Sequence, residues 1–148
     1  MTQEADRDDH GRRRLTDEER GELLDLPLTA VWSTLTATGR IHSVPVHFMH
    51  VGGELHVMTE RHSVKCRNAV RVGHATLCVE TTVNGTDRRY AMAEGPVRIE
   101  GPVSANALME LAQRYGRQDL DPFDEHTYAN SVIVVLTPEH WIAWSDAD

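Results

Sequence analysis

The feature that most constrains this fold is a pair of glycines, Gly52-Gly53, that separates two stretches of alternating apolar and polar residues. Alternation with a period of two is typical of a β-strand that buries one face. Two glycines tolerate the positive φ angles that a two-residue hairpin turn requires. The sequence therefore predicts an antiparallel hairpin in which a strand over residues 41–51 returns as a strand over residues 54–59.

The register of this hairpin divides its side chains between two faces. With the glycines as the loop, the predicted pairs are His47 with Met58, Phe48 with Val57, Met49 with His56, and His50 with Leu55. One face is apolar and is predicted to be core, namely Val44, Val46, Phe48, Leu55 and Val57. The other mixes small, imidazole and thioether groups, namely Ser43, Pro45, His47, Met49, His56 and Met58. This mixture is compatible with a ligand surface, a subunit interface or an ordinary half-exposed sheet face.

Further strands, with short helices around them, are predicted along the rest of the chain. Residues 1–14 are polar and rich in both charges, which predicts a mobile tail before a single domain over residues 15–148. Capped helices are predicted from Thr16 to near Pro27, over 63–72 and over 104–116. Strands are predicted over 30–36, 75–81, 90–103, 131–137 and 141–144, the third of them at an edge or bent because it contains two prolines. This order indicates a small, mainly β antiparallel barrel with peripheral helices.

Length and charge limit the class of function. At 148 residues the chain is long enough for one domain and too short for two, so a composite site is expected to borrow a second subunit. A net charge of −8 argues against a nucleic-acid binder, although residues 26–109 carry eight bases and six acids, which suits a small anionic ligand. No apolar run has membrane-spanning length, no apolar signal core is present and the two cysteines have no CxxC spacing. A soluble cytoplasmic protein without membrane partners is therefore expected.

The segment 63–68 has the composition of an anion site. A serine at a helix start, a lysine in the first turn and free backbone N–H groups together favour a negative ligand, and Thr59 adds a hydroxyl from the preceding strand. Lys65 is the only lysine among fifteen basic residues. The alternative is that Ser63 merely caps the helix while Lys65 and Arg67 are solvated.

The nine histidines do not predict a metal centre. His47 and His50 are an odd number of residues apart and so point to opposite sides of a strand. Only His47 and His56 come close, and two ligands do not complete a zinc site. The chain also lacks G-x-S-x-G, G-x-G-x-x-G and Walker motifs, so no nucleophile or dinucleotide loop is predicted.

Read in order, four segments resemble the pyridoxamine 5′-phosphate oxidase-like family of flavin and deazaflavin oxidoreductases. They are residues 38–46 (TGRIHSVPV), 55–59 (LHVMT), 63–68 (SVKCRN) and 90–97 (YAMAEGPV). The resemblance implies a six-stranded antiparallel split β-barrel that binds its cofactor, FMN or the deazaflavin coenzyme F-420, in a cleft between the subunits of a homodimer. It covers roughly residues 20–144.

The resemblance also implies roles for individual residues. Ser43, Val44, Pro45, Val46 and His47 would line the cofactor ring, with Met58 on the same face. Thr59, Ser63, Lys65 and Asn68 would hold the phosphate. Trp141 or Trp144 would reach the ring from the other subunit, and His47 is the candidate proton donor.

Departures from the family pattern refine the predicted activity. True pyridoxamine phosphate oxidases carry arginines where this chain has Val44 and Val64, and they have a C-terminal substrate motif that residues 141–148 do not reproduce. The K-x-R-N run at 65–68 and the A-E-G run at 93–95 are more similar to the coenzyme F-420-dependent branch. The prediction is hydride transfer to or from a small or aromatic substrate, selected by residues 82–89 and 119–130. The alternatives are a non-catalytic FMN, deazaflavin or haem carrier, with His47 or His56 as an iron ligand, and a structural dimer without a ligand.

Overall fold

The structure, a computed structural model, describes residue 7 and residues 10–118 and 129–147. Nine strands and three helices lie wholly within these ranges. Their bounds are β1 Arg13–Arg14, α1 Asp17–Asp25, β2 Ala30–Leu35, β3 Ile41–Val46, β4 Met49–Val51, β5 Glu54–Glu60, α2 Val64–Val72, β6 His74–Val83, β7 Asp87–Glu100, α3 Ala105–Tyr115, β8 Ser131–Leu136 and β9 His140–Ser145. None of the three helices has the length and apolar character needed to cross a bilayer.

All strand pairs are antiparallel, and the sheet runs in the order β3-β2-β6-β7-β8-β5-β4, with β9 beside β7 and β1 beside β9. The predicted mainly β architecture with peripheral helices is confirmed. The described residues form nine strands rather than six, partly because the predicted strand 41–51 is divided into β3 and β4 and because β1 is an addition. The path ends at β3 and β4, so the sheet does not close on itself within the described residues.

The predicted hairpin forms, but its first strand is interrupted. β4 pairs with β5 in the predicted register, with Met49 opposite His56 and His50 opposite Leu55. The predicted pairs at His47 and Phe48 are wrong, because β3 pairs with β2 and the chain crosses at residues 47–48 from one part of the sheet to the other. The apolar face is confirmed as core: Phe48 and its predicted core neighbours Val46, Leu55 and Val57 are buried, and Val44 packs against them.

β7 is the strand that joins the two parts of the sheet. Up to Pro96 it pairs with β6, and from Val97 it pairs with β8. An edge position or a bend was predicted for this strand: β7 has partners on both sides, so it is not an edge strand, and it changes partner directly after Pro96. The loop predicted over residues 82–89 is wrong for most of its length, because Val83 pairs with Asp87 around a short turn in which Asn84 and Gly85 have positive φ angles. Few of the residues 82–89 therefore lie in a loop that could contact a substrate.

The helix ends follow the local sequence. Thr16 caps α1 as predicted and forms a capping box with Glu19, and Ser63 and Ser104 cap α2 and α3 by accepting backbone hydrogen bonds. α2 and α3 each end at a glycine with positive φ. Short-range hydrogen bonds thus fix where these helices begin and end.

The N-terminal segment is structured further upstream than predicted. Arg13 and Arg14, which the sequence assigns to a mobile tail, form β1 against β9. Arg13 also donates two hydrogen bonds, of 2.8 and 2.9 Å, to the carboxylate of Glu19. This ion pair and the strand pairing hold the segment, so the tail boundary at residue 14 differs from the structure. Most of residues 1–9 lie outside the described residues.

The Arg13–Glu19 pair predicts a specific loss of stability in acid. Its hydrogen bonds, with those from Thr16, lower the pKa of Glu19 to about 2. Because the folded pKa lies below the unfolded one, this carboxylate stabilises the fold above about pH 4.5, and the contribution of about 1–2 kcal/mol is lost as pH falls towards 2. We expect Glu19→Gln, which can still complete the capping box, to reduce this acid dependence in urea unfolding followed by circular dichroism.

Glu18→Gln, in the exposed part of the same helical turn, provides the control, and it should leave the acid dependence unchanged. A wild-type slope between pH 4.5 and 2 that Glu19→Gln does not alter would contradict the role given to this pair.

Candidate functional site

The predicted binding residues converge on a cavity of about 470 Å³. Its wall is formed by the end of β3, the crossing at residue 47, β5, the first turn of α2 and the end of α3. The lining residues are Thr29, Pro45, Val46, His47, Met58, Lys65, Leu111 and Arg117. Five of the twelve residues predicted to bind a cofactor are therefore brought together here, although they come from three separate elements. We call this cavity the Lys65 pocket.

The Lys65 pocket has one cationic and one apolar side. Lys65 and Arg117 supply positive charge, and none of the eight lining residues is acidic. Pro45, Val46, Met58 and Leu111 supply apolar surface. In a chain whose net charge is −8, a pocket whose described lining has two cationic and no acidic side chains is electrostatically suited to an anionic ligand.

The start of α2 has the hydroxyl groups that the sequence predicts, and they are already hydrogen bonded within the protein. The Ser63 hydroxyl accepts a hydrogen bond from the N–H of Cys66 at 3.2 Å and lies 2.8 Å from the hydroxyl of Thr59. Ser63 therefore caps α2, as the alternative interpretation states, and Thr59 is buried beneath it. Lys65, the second residue of α2, is half-buried and lines the pocket, whereas Arg67 is exposed.

The other predicted residues lie outside the Lys65 pocket. Asn68 is buried under α2, where its carbonyl oxygen accepts a hydrogen bond from Arg71 at 3.0 Å and its amide nitrogen has no partner among the described residues. The Ser43 hydroxyl lies 2.8 Å from that of Ser33 across β2 and β3. Val44 packs against the core.

Three lining residues were not predicted as binding residues. Thr29 precedes β2, Leu111 lies on the apolar stripe of α3, and Arg117 follows the glycine that ends α3. The helical periodicity of Leu111 indicates only that it is buried. Their convergence depends on how α3 packs across the crossing at residue 47, which no local pattern encodes.

Trp141 and Trp144 lie in a second cavity of about 300 Å³, lined by β9, β1 and the start of α1. The guanidinium of Arg20 stacks 4.2 Å from the ring centre of Trp141, and that of Arg14 stacks 5.3 Å from the ring of Trp144. None of the described residues lines both this cavity and the Lys65 pocket. Within one chain, the tryptophans are therefore not brought to the predicted cofactor residues.

Strand register separates the two tryptophans. Trp141 pairs with Ala93 of β7, which is buried. Trp144 pairs with Tyr90, which lies on the opposite face of β7 together with Met92. That opposite face is continuous across β3, β2, β6, β7 and β9, and we call it the outer face. Its apolar residues include Val31, Leu35, Ile41, Pro45, Cys78, Met92, Ile142 and Trp144. Ile41 is 77% exposed.

The cysteines do not form an activated nucleophile. Burial raises the pKa of the Cys66 and Cys78 thiols, which keeps them protonated near neutral pH. In the part of the chain that the structure describes, no three His, Cys, Asp or Glu side chains are grouped closely enough to hold a metal ion.

Comparisons with known proteins identify the fold. No protein-family model matches the chain, and no curated protein matches it. Solved structures do: an F420 reductase is 23% identical with a TM-score of 0.72, covering 82% of this chain and 94% of that one. A conserved hypothetical protein from Mycobacterium tuberculosis is 18% identical with a TM-score of 0.77, covering 97% of this chain and 89% of that one.

A third similar structure is the FAD and heme binding protein from Mycobacterium smegmatis, which is 19% identical with a TM-score of 0.65, covering 89% of this chain and 72% of that one. The chain thus has the fold of proteins whose names refer to F420, FAD or haem. The resemblance to the flavin and deazaflavin oxidoreductases is confirmed at the level of the fold.

Proposed function

We propose that this protein is a homodimeric oxidoreductase that binds a flavin-type cofactor, with coenzyme F-420 ahead of FMN, in the Lys65 pocket. The observation that carries the proposal is that five of the residues predicted from the sequence line one cavity, whose described lining also includes Arg117 and no acidic side chain. The fold of the similar F420 reductase and of the FAD and heme binding protein supports the same class of ligand.

The chemistry of the pocket fits such a cofactor. Both candidate cofactors combine a planar ring with an anionic side chain, and the pocket combines an apolar wall with Lys65 and Arg117. Its volume of about 470 Å³ lies within the usual range for ligand pockets. When bound, a flavin or deazaflavin supplies the ring that accepts or donates hydride, so the protein needs no nucleophile of its own.

The chain's own residues have three roles in this proposal. Lys65 holds the anionic group by charge, at the N-terminal end of α2, where the helix dipole adds to the attraction. Pro45, Val46 and Met58 exclude water from one side of the ring. The imidazole of His47 lines the same cavity and is the group that can hold a proton beside the ring.

A second copy of the chain would complete the site. Pro45 lies on β3 and Trp144 on β9, at opposite edges of the outer face, four strand spacings or roughly 19 Å apart. Antiparallel packing of two outer faces about a two-fold axis would bring β9 of one subunit over β3 of the other. Trp144 belongs to the outer face and Trp141 does not, so we assign to Trp144 the contact with the partner subunit's cofactor.

A charged residue on the outer face tests the dimer. We expect Ile41→Glu to convert the dimer to a monomer in light scattering, because it would bury an unpaired carboxylate in the interface. The same variant should lose cofactor affinity, since the site would lack its second half. Met109→Glu on α3, where the side chain is 45% exposed and lies away from the outer face, is the control and should remain dimeric. A wild-type monomer with full cofactor affinity would contradict the shared site.

Titration of the purified protein with coenzyme F-420, FMN and haem tests the cofactor class. We expect saturable binding of F-420 in fluorescence, followed by hydride exchange with a nicotinamide or nitroaromatic substrate. Binding without turnover would favour the carrier function instead.

The haem carrier has a specific observation in its favour, since His47 lines the pocket and one similar structure binds haem. A Soret band that is lost in His47→Ala, without flavin binding, would support it.

A further inference from the structure

We propose that Tyr115 is a positioning residue that holds the imidazole of His47 in the Lys65 pocket. This inference rests on the proposed function, because it assigns a purpose to the orientation of His47. Tyr115 is the last residue of α3 and does not itself line the cavity. It therefore acts through His47 rather than by contact with a ligand.

The stacking geometry restricts the His47 ring. The ring centres of His47 and Tyr115 are 3.8 Å apart, and their planes differ by 3°. Such close parallel contact excludes rotation of the imidazole about its Cβ–Cγ bond unless the tyrosine also moves. Since His47 stands at the crossing between β3 and β4, it lies outside both strands, and neither ladder fixes its side chain.

At the crossing, the Tyr115 hydroxyl makes hydrogen bonds to backbone groups that a neighbouring strand would bond in a regular sheet. It accepts a hydrogen bond from the N–H of Phe48 at 3.1 Å, and it shares its proton between the carbonyls of Leu28 at 2.8 Å and Phe48 at 3.1 Å. One hydroxyl therefore connects α3, the crossing and the segment before β2. Each of these three parts contributes a lining residue to the Lys65 pocket.

The end of α3, where Tyr115 lies, is held in place by hydrogen bonds from the neighbouring Arg114. Arg114 donates hydrogen bonds to the carbonyls of Leu24, Asp25 and Leu26 at the end of α1, at distances of 2.6–3.0 Å. These bonds satisfy carbonyl groups that the last turn of a helix leaves without partners. Tyr115 therefore has anchors other than His47, and its ring is held against the His47 imidazole.

A double-mutant cycle separates positioning from a general effect on folding. We expect Tyr115→Leu to weaken F-420 or FMN binding about tenfold in the wild-type background and less than twofold in a His47→Gln background, because its effect passes through His47. Gln113→Ala, exposed on the same helix, is the control and should bind within twofold of wild type. Equal losses in both backgrounds would overturn the proposal.

Nuclear magnetic resonance gives a readout that does not need a cofactor. Ring protons of His47, assigned by their loss in His47→Gln, should be shielded by the Tyr115 ring, and Tyr115→Leu should remove this shielding. If Tyr115→Leu does not fold, Tyr115→Phe keeps the ring and removes the hydroxyl; it should retain the shielding and weaken binding several-fold. His47 signals without shielding in the wild type would overturn the inference. Shielded signals with no cofactor binding would support the positioning and contradict only the proposed function.

Discussion

Lys65→Ala is expected to weaken cofactor binding by about 10- to 100-fold, the largest loss of affinity from any one side chain. A hydrogen bond between a charged donor and an anionic acceptor contributes about 1.5–3 kcal/mol when one partner is removed. Lys65 is half-buried in a pocket whose described lining contains no acid, so its charge is less screened there than on the open surface. Fluorescence titration with F-420 and with FMN, at two salt concentrations, measures the effect.

Arg67→Ala provides a control on the same helix. Arg67 lies two residues from Lys65 and carries the same charge, but it is exposed and does not line the pocket. We expect its removal to change affinity less than twofold. Equal losses in both variants would show that only the general positive charge of α2 matters, and an unchanged affinity in Lys65→Ala would remove Lys65 from the site.

Gly95→Ala is expected to destabilise the fold by about 3 kcal/mol or more, the largest loss of stability from any one methyl group. A Cβ at this position would stand 2.0 Å from the carbonyl oxygen of Thr137. The backbone on both sides is held by hydrogen bonds, from Thr137 N to Pro96 O at 3.0 Å and from Glu139 N to Glu94 O at 2.9 Å. Because the added Cβ would clash with backbone atoms rather than with a flexible side chain, β7 and the segment after β8 must move apart.

Urea unfolding of Gly95→Ala followed by circular dichroism measures this loss, and the melting temperature should fall by about 10 °C. Gly21→Ala is the opposite case, since a Cβ at Gly21 in α1 would meet no atom within 4 Å. It should stabilise the protein by about 0.5–1 kcal/mol through the higher helix propensity of alanine. A Gly95→Ala variant as stable as the wild type would mean that β7 and the segment after β8 can separate at little cost.

The elements that the sequence predicted correctly are those with short-range causes. Alternation around Gly52-Gly53 predicted the hairpin, its core face and the register of β4 with β5, because each depends on neighbouring residues. The serine caps and glycine ends of α2 and α3 were predictable for the same reason. The sequence prediction was wrong at the crossing of residues 47–48, where β3 pairs with β2 and β4 with β5, and in the β6–β7 hairpin, whose strands continue to Val83 and Asp87.

The candidate site was predictable only in part. Lys65, His47 and Pro45 were singled out from a helix start and a mixed strand face, and all three line the cavity. Thr29, Leu111 and Arg117 were not, because nothing near them in sequence marks them as neighbours of Lys65. Likewise, the sequence left Trp141 and Trp144 as equal alternatives, whereas the pairing of β9 with β7 assigns them to different faces.

The sequence alone therefore determined where most strands and helices lie, which face of the hairpin is buried and that the one lysine lies in the first turn of α2. The tertiary structure decided that the chain crosses between the two parts of the sheet at His47, that α3 closes the pocket there and that Trp144 lies on the outer face. Periodicity and caps act within a few residues, so they can be read along the chain. A pocket and an outer face join residues distant in sequence, and their contacts exist only once the sheet has formed.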